Sequence, residues 1–142
     1  MEIATPRLAK TDAELLRCFP VMLELRPTLR EEEFVAAIRG QESEGYRLAM
    51  LEDAGGVTTV GGFRVQRMLM TGKTMYVDDL VTAAAARSRG HGKAMLHWLM
   101  EIARREDCDS FSLDSGTQRQ EAHAFYLRER MRITSFHFCC KL

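Results

Sequence analysis

The 142-residue sequence has no net charge: twenty lysines and arginines balance twenty aspartates and glutamates. That balance argues against a nucleic-acid backbone as the main partner, since such partners need a basic surface. No run of 18 apolar residues occurs, so no membrane span is expected. The opening MEIATPRLAK lacks the apolar core of a signal peptide. Cys18, Cys108, Cys139 and Cys140 show no CxxC spacing and no zinc-like clustering with histidine, so no metal is expected. Without an export signal they read as reduced thiols of a cytoplasmic protein, serving as small buried side chains. There is no internal repeat, linker or low-complexity tract, and neither GxGxxG nor GxxxxGK[ST]. The expectation is one domain over residues 1–142, large enough to bury about two-thirds of its unfolded surface.

What is present has a readable order. Thr11 and Glu14 form a capping box that opens a helix through AELLRCF, which Pro20 kinks or ends. LREEEFVAAIRG predicts a second helix, acidic in its first turn and closed by Gly40. GYRLAMLE, VTTVGGFRVQRMLM and TMYVDDLVT predict three strands joined by the turns DAGG and TGK, an antiparallel meander. Met95, Leu99, Ile102 and Ala103 give the next helix its apolar face. CDSFSLDS predicts a strand, and TQRQEAHAFYLRER a helix capped by Thr117 and Gln120. ITSFHFCCKL predicts a closing strand. With a first strand near EIATPRLA, the order is β-α-α-β-β-β-α-β-α-β, an α/β sandwich with a mixed sheet.

The informative stretch is ARSRGHGKAM, between a strand and a helix. Glycine inside a helix costs about 1 kcal/mol against alanine. Arg87, Arg89 and Lys93 also crowd the positive end of the helix dipole. Both choices become favourable once an anion is bound. The first helical N–H groups have no intrahelical partner and suit a phosphate or pyrophosphate. Gly90 and Gly92 let a ligand approach the backbone, and the basic side chains supply charge-assisted bonds. The alternative is a solvated basic turn.

RSRGHG, residues 87–92, matches the Q/R-x-x-G-x-G/A acetyl-CoA signature, and the chain resembles the GNAT superfamily of N-acetyltransferases. DDLVT stands where that family keeps the strand before its signature. AHAFYLRERM, residues 122–131, is similar to its A-x-x-F-Y segment. The element order is also the family's, so the resemblance covers nearly the whole chain. The tail is most similar to small bacterial members of the aminoalkylphosphonate N-acetyltransferase kind.

The resemblance implies a mostly antiparallel sheet flanked by helices, with acetyl-CoA as co-substrate. Its pyrophosphate would rest on Arg87, Ser88, Arg89, Gly90, His91, Gly92, Lys93 and Ala94. Its pantetheine arm would pair with the backbone of Leu80, Val81 and Thr82, where a strand N–H meets the acetyl carbonyl. Tyr126 aligns with the tyrosine that protonates the departing thiolate; packing is its other reading.

Asp78 and Asp79 are paired carboxylates that can deprotonate or hold an ammonium, or make only structural ion pairs. Alternation places them on opposite faces of their strand, although the family often bulges here. His91 is expected as an exposed loop side chain, and His123 either orients a substrate or packs. Arg119 replaces the family's pantetheine-binding Asn, and Arg130 the Gly that ends the helix. Arg26, Arg30 and Arg119 would form an anion site if they converge.

The function read from the sequence is transfer of acetyl from acetyl-CoA to a primary amine of a small molecule, by direct attack in a ternary complex. A homodimer is compatible with this, and no nucleic acid or membrane partner is expected. The rivals are a non-catalytic acetyl-CoA sensor or interaction domain and a protein or peptide N-acetyltransferase.

Overall fold

The computed structural model describes residues 4–142; residues 2–3 of the expected first strand lie outside them. That strand is seen as β1 (Arg7–Leu8), antiparallel to β2 (Arg47–Asp53). Helix α1 (Asp12–Leu25) opens at the expected capping box, with Glu14 N donating to Thr11 Oγ1 at 3.1 Å and Thr11 N to Glu14 Oε1 at 3.0 Å. It does not end at Pro20. The proline forfeits one helical bond but lies on the exposed side, while Leu15, Cys18, Phe19, Val21 and Met22 are buried. Packing therefore carries the helix to Leu25. Helix α2 (Glu31–Glu42) runs two residues past Gly40.

Strands β2, β3 (Gly56–Met68) and β4 (Gly72–Thr82) make the expected antiparallel meander. Leu69 and Met70 fall in the β3–β4 turn and are exposed, rather than extending the strand. A 3-10 turn (Ala84–Ala86) leads to α3 (His91–Arg105). β5 (Ser110–Leu113) completes a sheet in the order β1-β2-β3-β4-β5. Asp109 N donates to Lys73 O at 2.6 Å, and the Thr74 and Ser110 hydroxyls are 2.7 Å apart. The starts of β4 and β5 thus lie side by side with a helix between them in sequence, the arrangement of a parallel pair.

Helices α1 and α2 cover one face of the sheet. Leu15, Phe19, Met22, Phe34 and Ile38 pack there with Tyr46, Leu48, Met50, Val60 and Val81. Each such side chain contributes about 1.5–3 kcal/mol by burial. Helix α3 covers the other face through Met95, Leu96 and Leu99. At its end Glu106 pairs with Arg47, whose guanidinium lies 4.6 Å over the Phe63 ring.

The chain divides into two compact units, the first ending at Ser112 and the second being Leu113–Leu142. The second holds α4 (Gln120–Arg128). Its expected capping box at Thr117 is not formed; Arg119 is the N-cap and no side chain caps the helix. The helix ends on Arg130 at φ 66°, with Arg130 N bonded to Leu127 O and Met131 N to Tyr126 O, both at 3.0 Å. This is the left-handed end usually given to glycine, made here by arginine.

The predicted closing strand is not formed. Residues 131–142 carry no regular structure, and Ile133, Phe136, Phe138 and Leu142 are exposed. Alternating side chains make a strand only where the backbone finds a ladder partner. The cysteines also divide: Cys18 is buried, its thiol pushed up to about 12 by burial, whereas Cys139 and Cys140 are exposed.

Candidate active site

The site follows the end of β4. Leu80 and Val81 are buried and Thr82 half-buried; the 3-10 turn then delivers an exposed loop, Arg87 to Gly90. Gly90 is the N-cap of α3 at φ 82°, a left-handed conformation that side-chain-bearing residues adopt at a cost. Ala94 N to Gly90 O is the first helical bond, at 3.0 Å, and no side chain caps the helix. The N–H groups of His91, Gly92 and Lys93 therefore have no intrahelical partner. Arg87, Ser88, Arg89 and Lys93 are exposed around them. Arg87 Nε donates to Thr82 O at 3.4 Å, and Arg89 donates to Ala85 O at 3.0 Å while pairing with Asp53. This uncapped cradle with its cationic rim fits a pyrophosphate.

His91 departs from expectation. It is the first residue of α3 and is buried, with Nδ1 2.8 Å from Thr58 Oγ1. Its side chain ties the helix start to β3, leaving only its backbone to the loop surface.

Asp78 and Asp79 do not face opposite ways. The β3–β4 register shifts between Gly62 and Phe63: Gly62 opposes Asp79 and Phe63 opposes Val77. Asp78 is the extra residue of a bulge, and alternation fails there. Arg64 grips Asp78, with Nη2 2.8 Å from Oδ2, and its guanidinium lies 5.6 Å over the Tyr46 ring. Arg26 Nε donates to Asp79 Oδ1 at 2.9 Å and Tyr46 Oη to Asp79 Oδ2 at 2.7 Å. Both carboxylates thus gather around Tyr46. Burial first, then the Asp79 charge, pushes the Tyr46 phenol well above its ordinary range.

Tyr46, Gly62 and Arg64 were not legible as site residues, and Arg26, expected at an anion site, instead binds Asp79. The one local signal was a Gly61–Gly62 pair inside a strand, a mark of a bulge or close approach. Nor does Arg30 join Arg26 in an anion site: its guanidinium is turned to Glu32 and Glu33.

In the second unit, the Arg119 guanidinium acts on the Tyr126 phenol. Burial pushes the Tyr126 phenol up, and the Arg119 charge offsets part of that rise. His123 Nε2 lies 2.7 Å from Gly116 O, which ties the helix to its preceding loop.

The profile of the acetyltransferase (GNAT) family matches residues 9–130, and the chain belongs to that family. It is an acyltransferase of the N-acetyltransferase class, whose members use acetyl-CoA as co-substrate. It is 32% identical over 114 residues to an uncharacterized N-acetyltransferase of Bacillus subtilis, covering 80% of each chain. It is also 32% identical over 62 residues to an aminoalkylphosphonate N-acetyltransferase of Salmonella typhimurium, covering 44% of this chain and 40% of that one. A GNAT family acetyltransferase of Staphylococcus aureus shares the fold at a TM-score of 0.82, with 17% identity over 99% of this chain and 100% of that one.

Proposed function

We propose that the chain acts as one acetyltransferase domain that moves acetyl from acetyl-CoA to the primary amine of a small molecule, by direct attack in a ternary complex. The observation that carries this is the uncapped, glycine-opened start of α3 with Arg87, Arg89 and Lys93 around it, directly after β4. In this reading the backbone from Arg87 to Ala94 holds the pyrophosphate. The backbone of Leu80, Val81 and Thr82 receives the pantetheine arm, and a β4 N–H stabilises the oxyanion. Asp78 and Asp79, each paired with an arginine, shape the end of β4 rather than draw the acceptor's ammonium by net charge. The ammonium sheds a proton to solvent, and the neutral nitrogen attacks the acetyl carbon. As the N–C bond forms and the C–S bond breaks, Tyr126 protonates the thiolate. The second proton, lost by the nitrogen, restores the phenol. The positive charge of Arg119 steadies the transient phenolate.

A small acceptor is favoured by the charge balance and by one relative. The zero net charge gives no general steering toward charged proteins. One partial relative is named for aminoalkylphosphonates, amines that carry an anion. We place the protein in the cytoplasm on its free thiols; no helix among the described residues is long and apolar enough to cross a membrane. The test is thiol release from acetyl-CoA with small aminophosphonates, polyamines, amino sugars and N-terminal peptides at matched concentrations. A small amine should give the highest kcat/KM. A peptide far ahead of every small amine refutes the acceptor class, and no turnover with tight acetyl-CoA binding points to a sensor.

A further inference from the structure

We propose that Arg26, Asp79 and Tyr46 form a clamp on the β4 bulge that holds the backbone of residues 79–82 in the register the acetyl donor requires. This rests on the proposed use of that backbone by the donor. Its members are positioning residues, and no proton need pass through them.

The bulge creates the need. Asp78 has no opposite residue in β3, so the ladder is interrupted one residue before the three assigned to the donor. Arg26 fills the interruption from outside the sheet: its Nη2 donates to the Asp78 carbonyl oxygen at 2.9 Å, in place of a ladder donor. Its Nε holds Asp79 Oδ1 at 2.9 Å. One planar guanidinium thereby fixes two successive residues of the bulged strand. Arg26 is itself the C-cap of α1, its N–H bonded to Met22 O, so the clamp is anchored to a packed helix.

Tyr46 closes the clamp from the other side. It is 2% exposed, and its hydroxyl donates to the second Asp79 oxygen at 2.7 Å. Both oxygens of Asp79 are therefore occupied by fixed donors, which suits holding a shape better than accepting a proton. Gly62, opposite Asp79, makes this possible, since a Cβ there would lie 1.7 Å from the Tyr46 hydroxyl oxygen. The bulge, the glycine and the tyrosine are one matched set.

The test begins with hydrogen exchange on the ligand-free protein, comparing wild type with Tyr46→Phe, which keeps the ring and deletes one donor. Exchange in a peptide spanning residues 78–82 should rise about tenfold or more relative to β2, as expected for local loosening. In turnover, Tyr46→Phe should lower kcat about tenfold through misplacement of the donor. The apparent pKa of its pH–rate profile should stay unmoved. Arg26→Met should behave similarly and Arg26→Lys should recover part of the loss. Adding Asp79→Asn to Tyr46→Phe should cost less than the product of the single effects. Unchanged exchange at residues 78–82 overturns the clamp. So does an Asp79→Asn variant that loses a pH–rate limb which Tyr46→Phe retains, because Asp79 would then be a base. The exchange experiment needs no acceptor, whereas calorimetry with acetyl-CoA on the wild type tests the donor site separately.

Discussion

The imidazole Nδ1 of His91 lies 2.8 Å from the hydroxyl of Thr58, and both residues are buried. A residue that sits inside the acetyl-CoA signature thus serves the core with its side chain. His91→Ala should lower stability by about 1–3 kcal/mol, through the lost bond and the space left behind. Acetyl-CoA affinity should change by less than about threefold, since its backbone N–H remains. Scanning calorimetry and titration calorimetry on one preparation check this. A large loss of affinity at unchanged Tm would return the imidazole to the ligand.

Gly90 and Gly92 should respond differently to substitution. Gly90 sits at φ 82°, so Gly90→Ala should cost about 1–2 kcal/mol in backbone strain. Gly92 has no such φ; a Cβ there would meet Thr82 Oγ1 at 3.3 Å. Gly92→Val should stay folded and lose acetyl-CoA affinity about tenfold or more, by placing bulk where the pyrophosphate approaches. Titration calorimetry on folded Gly92→Val decides; wild-type affinity would sink the loop assignment.

Tyr126→Phe should keep acetyl-CoA affinity and lose about 10- to 1,000-fold in kcat, the usual worth of acid–base help. Burial pushes this phenol above its ordinary value of 10.0, so the acid form persists into alkaline solution. Wild-type kcat should therefore show no fall from loss of this acid below that pH. Arg119→Met removes the group that eases phenol ionisation, so it should lower kcat while keeping the phenol protonated to still higher pH. Turnover of Tyr126→Phe at the wild-type rate would make Tyr126 a packing residue.

Arg130→Gly should stabilise the end of α4 by about 1 kcal/mol, because glycine adopts the left-handed cap without a Cβ penalty. The gain should appear as slower amide exchange at Met131, whose N–H bonds Tyr126 O at 3.0 Å. Faster exchange would mean that the arginine side chain itself holds the end.

The parts of this protein legible in one dimension are those made by near neighbours. Thr11 and Glu14 cap α1 across three residues, and Gly90 with its basic flanks marks the start of α3. The three-strand meander also follows from short turns and local alternation. What stayed hidden depends on partners that are remote in sequence. Arg26 reaches Asp79 across 53 positions and Tyr46 across 33, and neither pairing leaves a local pattern. The bulge that turns Asp78 and Asp79 to the same surroundings depends on how β4 settles against β3, where one inserted residue cancels the period-two rule. The tail alternates like a strand, yet residues 131–142 form none, because side-chain pattern does not supply a ladder partner. Pro20 fails to stop α1 because burial of Phe19, Val21 and Met22 outweighs one missing hydrogen bond. The order of elements as far as α4 and the uncapped, glycine-opened start of α3 could be read along the chain, since capping and periodicity act within four residues. Which carboxylates meet which cations was settled by the folded sheet, because burial and register arise only when its strands and helices assemble.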